Sequence, residues 1–82
     1  MVGMTPAAIV SSLGEPGLRR LDRPAEYWQY KRLDCVLDVI FYEQTSGGDL
    51  SVDHVEARDR EGRALSPDAC LGQAPQAPKP TS

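Results

Sequence analysis

Apolar and polar residues follow two different periods along this chain, and the change from one to the other divides it into elements. Near the start, Ile9 and Leu13 stand four apart with Val10 beside them, which makes one narrow apolar stripe of a helix. Thr5 suits the cap of that helix, Pro6 its first position and Gly14 the residue just past its end, and Pro16 forbids continuation. From Leu18 the period is two. "LRRLD" reads as a short strand and "RPAE" as a turn. "EYWQYKR" is a half-buried strand with Glu26, Trp28 and Tyr30 on one face and Tyr27, Gln29 and Lys31 on the other. "CVLDVIFY" puts Cys35, Leu37, Val39 and Phe41 on one face of a central strand and Val36, Asp38, Ile40 and Tyr42 on the other, with Asp38 its one anomaly.

"EQTSGGD" predicts a hairpin turn into the strand "LSVDHVEARD". In that strand the apolar phase slips between Leu50, Val52 and Val55, Ala57, which predicts a bulge beside His54. "REGRALS" reads as a turn-rich exit, and "SPDACLG" as a single helical turn capped by Ser66, started by Pro67 and ended by Gly72. "QAPQAPKPTS" offers nothing to a core and predicts a disordered or extended tail. No internal repeat is present. The expected architecture is an α+β, two-layer fold with an N-terminal helix packed on a three- to four-stranded antiparallel meander, as one domain over residues 1–72 with the tail at 73–82. Ile9 and Leu13 are expected to face Leu37, Val39, Phe41 and Trp28.

The chain has 82 residues, so it buries only about 60–65% of its unfolded surface and has a thin margin of stability without a staple. Its net charge is −3, and its arginines alternate with acids, which disfavours nucleic acid as a partner. No apolar run approaches the ~20 residues of a membrane-spanning helix, and no stretch reads as a signal peptide. Cys35 and Cys70 lie far apart and match neither a redox nor a zinc spacing. Two readings stay open for them at this point, a disulfide, which is favoured, and a pair of buried free thiols.

Candidate chemistry is sparse. His54 is the only histidine; Asp38 or Asp53 could orient it, and Ser51 or a thiol could act as nucleophile, which defines the alternative of a small enzyme or ligand-binding domain using His54. Neighbouring strand residues point to opposite faces, so Asp53 serves His54 only if the bulge intervenes. A surface histidine is the simpler expectation, no ligand cluster for a metal is visible, and no cofactor is implied. Asp38 calls for an ion pair with Arg58, Arg20 or Lys31, or for an outward position. The residues with the best claim to an interaction role are Tyr27, as an aromatic contact, and Arg19, Arg20 and Arg23, which could meet anionic lipid headgroups or an acidic partner. An open strand edge could also support a homodimer.

The pattern Gly3-Met4-Thr5, Ile9, Leu13, Gly14 and Pro16, followed by Trp28-x-Tyr30 and two further strands, resembles the SmpA/OmlA (BamE-like) family of bacterial outer-membrane lipoprotein domains over roughly residues 2–58. The implied fold is also that of β-lactamase-inhibitor-like modules. "HVEAR" and the late "DACL" look like a subgroup of small bacterial lipoproteins without a known role. The resemblance implies a folded core that follows a signal peptide, a lipidated cysteine and a tether, periplasmic and anchored to the outer membrane. It also implies the Cys35–Cys70 disulfide, because that compartment is oxidising. The function it implies is non-catalytic: a protein-interaction module with an envelope protein partner, in outer-membrane assembly or maintenance.

Overall fold

The computed structural model describes residues 1–44 and 48–72. Helix α1 spans Pro6–Leu13, with Thr5 Oγ1 accepting from the Ala8 amide at 3.2 Å, and Gly14 ends it at φ 83° while its own amide donates to the Val10 carbonyl at 2.8 Å. A helix this short does not persist alone in water, so its stability comes from Ile9, which is fully buried. Five strands follow: β1 (Leu18–Asp22), β2 (Ala25–Lys31), β3 (Cys35–Glu43), β4 (Leu50–Asp59) and β5 (Ala64–Leu65). They pair antiparallel in chain order, and a second helix, α2 (Pro67–Leu71), closes the described chain. The Arg23–Pro24 peptide between β1 and β2 is cis.

This corrects the expected architecture in two respects. The sheet has five strands rather than three or four, and two short helices rather than one accompany it. The missed strand is β5, hidden inside "REGRALS" because two residues are too few to show an alternation. Its pairing is set by a turn: Asp59 Oδ1 accepts from the amides of Glu61 and Arg63 at 3.0 and 2.9 Å, and Gly62 supplies a φ of 83°. The turn returns the chain beside β4, so that Ala57 pairs with Leu65 and Arg58 with Ala64. The "SPDACLG" turn is a true short helix, with Ser66 Oγ accepting from the Ala69 amide at 3.1 Å. The apex of the β3–β4 hairpin and the tail expected at 73–82 lie outside the described residues.

The alternation in β2 and β3 becomes the core. Trp28, Tyr30, Cys35, Leu37, Val39 and Phe41 are buried together with Ile9, Val52, Ala57 and Cys70, and the Trp28 and Phe41 rings meet at 4.6 Å. Register shifts between Ile40 and Phe41, which face His54 and Val52, so Asp53 is the extra residue of the expected bulge. The slip lets Val52 and Val55 both serve the core side. Helix α1 packs along β4, while α2 packs against β3 and β4, where the Cys35–Cys70 disulfide holds it with Cα atoms 5.8 Å apart.

Tyr30 joins helix to sheet by donating its hydroxyl to the Gly14 carbonyl at 2.9 Å. Burial pushes its phenol above the ordinary 10.0; Glu15 adds to the rise, and Arg19 and Arg32 oppose it. The fold therefore prefers the neutral phenol. That contribution is fully present below the ordinary tyrosine pKa and is lost as pH rises through the higher folded value. Tyr30→Phe is expected to cost about 1 kcal/mol at neutral pH through the lost hydrogen bond and to flatten the decline in stability above about pH 10. Denaturant melts at neutral and strongly alkaline pH check this; equal alkaline slopes in both proteins would refute it.

Candidate interaction surface

Both helices serve one side of the sheet, and the residues that alternate with the core form the other side. Two rows cross that uncovered face. The first runs Arg20, Tyr27, Ile40 and His54, each opposite the next across β1 to β4, and the second runs Leu18, Gln29, Asp38 and Glu56. These side chains, His54 excepted, border a shallow groove of ≈ 460 Å³ together with Asp22 and Trp28. Leu18 is 56% exposed, Tyr27 37% and, one step along β3, Tyr42 44%. Tyr27 and Tyr42 thus offer broad, stiff contact area to solvent, which is the chemistry aromatic anchors use at interfaces.

The charges of the face are arranged in pairs. Asp38 is bridged by Arg58 and also accepts from Gln29 Nε2 at 3.2 Å, so the polar anomaly of β3 is an outward, partnered carboxylate. Both sequence expectations for it therefore hold together. No charged residue enters the buried core among the described residues. His54 Nε2 stands 3.1 Å from Glu56 Oε1 and both are exposed. Asp38 and His54 thus have different partners, although a cooperating pair would need one to face the other. Among the described residues no three His, Cys, Asp or Glu side chains converge on a common point.

The four residues expected to make contacts are separated by the sheet. Arg20 and Tyr27 are direct neighbours on the uncovered face, whereas Arg19 lies on the helix side, its guanidinium 4.4 Å from the Trp28 ring centre and paired with Glu15. Arg23 is in the β1–β2 turn, 3.9 Å from a Glu43 oxygen, and Arg20 is 3.9 Å from Asp22. Ile40, Tyr42, Leu18 and Leu21 were not singled out in the sequence. Their signal was phase: Ile40 and Tyr42 alternate with buried Val39 and Phe41, so they had to face away from the core.

Neither a family model, nor a curated protein, nor a solved structure matches this chain. The surface is therefore assigned from its own chemistry.

Proposed function

We propose that this domain is a non-catalytic protein-binding module of the bacterial envelope, part of a periplasmic lipoprotein anchored to the outer membrane, serving outer-membrane assembly or maintenance. The observation that carries the binding role is the uncovered sheet face, where Tyr27, Ile40 and Tyr42 stand beside Arg20 with no element of the described chain packed over them. An apolar and aromatic surface rimmed by charges is suited to an envelope protein partner. Two considerations support the compartment. The Cys35–Cys70 disulfide belongs to an oxidising environment, and the helix and Trp28-x-Tyr30 positions resemble the SmpA/OmlA lipoprotein domains.

A photo-crosslinking side chain placed at Tyr27 tests the reading when the domain is exported to a bacterial periplasm. It is expected to form an adduct of one discrete mass, while the same group at Ser11, on the exposed side of α1, forms none. Ile40→Ser with Tyr42→Ala is expected to abolish the Tyr27 adduct. A smear of products shared by both positions would defeat the proposal.

A further inference from the structure

The two edges of the sheet are unlike. On the β4 side, β5 pairs near Ala57 and Arg58, and the N-terminal segment pairs near Val52, where Gly3 donates to the Val52 carbonyl at 2.8 Å and Val52 donates to the Met4 carbonyl at 2.9 Å. The outermost strand there is only two residues long, which gives an incoming chain little to pair with. On the other side β1 presents five residues, all exposed, and every second backbone amide and carbonyl of such an edge points away from its neighbour. Leu18 and Leu21 are 56% and 60% exposed, one on each face of the sheet. No described element covers either.

The order of residues on this edge, Leu18-Arg19-Arg20-Leu21, decides what can pair with it. Each face of β1 carries one leucine and one arginine: Leu18 and Arg20 on the uncovered face, Arg19 and Leu21 on the helix side. A second copy joined by the same edge and set antiparallel can place opposite each other only residues of one face, so a register centred on Arg19 sets Arg19 against itself, and like charges directly opposite destabilise a sheet. Centring the pair on Arg20 instead sets it against itself. Centring the pair on Leu21 sets leucine against leucine and Arg20 against Asp22, so of these three registers two oppose a second copy.

The same charges favour a different occupant. We infer that β1 accepts an added strand from an acidic partner protein, whose central four residues read apolar-acidic-acidic-apolar. This rests on the protein-binding reading above and supplies the partner's chemistry. Main-chain hydrogen bonds to β1 hold such a strand, the two apolar residues cover Leu18 and Leu21, and the two carboxylates meet Arg19 and Arg20. Arg19 is held over Trp28 and paired with Glu15, so the partner's carboxylate shares or replaces that contact. Among the described residues Arg20 has only the long contact to Asp22, which leaves most of its donors to a partner. The pattern reads the same in both directions, so the charges admit a parallel or an antiparallel strand.

The experiment uses the oxidised domain with capped peptides built around Val-Glu-Glu-Val, followed by amide NMR and by affinity. The expected result is an alternating pattern of shifts and slowed exchange along 18–22, and no binding when alternate peptide nitrogens are methylated. Arg20→Glu is expected to weaken the complex by about tenfold. One of the two peptides Val-Lys-Glu-Val and Val-Glu-Lys-Val should then restore it: the first if the added strand is antiparallel, the second if it is parallel. Binding that survives methylation, failure of both lysine peptides to rescue, or no binding at millimolar peptide each overturns the inference. Shifts confined to Tyr27, Ile40 and Tyr42 would also overturn it, yet leave the protein-binding face standing. The crosslink at Tyr27 tests that face separately.

Discussion

Replacing both cysteines, Cys35→Ser with Cys70→Ser, is expected to lower the stability of the domain by about 4 kcal/mol. The bridge joins residues 35 apart in sequence, and in the chain-entropy description a loop of that size restricts the unfolded chain by about that amount. Against a total of about 5–10 kcal/mol for a domain of this size, the loss takes roughly half, and at about 4–8 °C per kcal/mol the melting temperature should fall by about 15–30 °C. The effect should also be local. Helix α2 has five residues, and Cys70 is its one fully buried side chain, with Leu65 and Leu71 only partly covered. Residues 60–72 should therefore open first, seen as amide exchange that is faster there than in β2 and β3. An unchanged melting temperature together with unchanged protection of those amides would show that the bridge is dispensable.

Phe41→Ala is expected to be as severe, at about 3–5 kcal/mol. The side chain is fully buried, packs on Trp28 with ring centres 4.6 Å apart, and lies opposite Glu26 on β2 and Val52 on β4. Strand pairing fixes the positions of those neighbours, so they cannot collapse far into the space, and a cavity adds to the lost burial. The loss should also be global, because Phe41 is in the central strand, whereas the cysteine variant should first loosen one end. Denaturant titration of the oxidised variant gives the magnitude, and uniform faster exchange across β2, β3 and β4 gives the distribution. A loss below about 1 kcal/mol would mean that the site repacks and that the strand pairing does not hold its neighbours in place.

Both predictions rest on residues that are legible in the sequence. Cys35 and Phe41 belong to the buried alternation of "CVLDVIFY", and Cys70 follows a serine-proline helix start. The interaction surface was legible only in part. Arg20 and Tyr27 meet on one face as neighbours, but Arg19 belongs to the opposite face, and the sequence alone grouped all three with Arg23. One-residue steps along a strand separate side chains that look clustered in print.

Sequence by itself determined the elements whose signals are local. The cap, proline and glycine of α1 set Pro6–Leu13, the two-residue period of β2 and β3 set the core, and the phase slip in β4 set a bulge between Val52 and Val55. Tertiary structure decided what depends on distant partners: the pairing of two-residue β5, the choice of Arg58 for Asp38 and Glu56 for His54, and the reach of Tyr30 to Gly14. It also decided that both helices cover one side, leaving Tyr27 and Ile40 open on the other. The physical reason is the range of the interactions. A cap or a period acts within a few residues and is written in them, whereas register and partner choice are fixed only when burial of the shared core brings separate segments into one sheet.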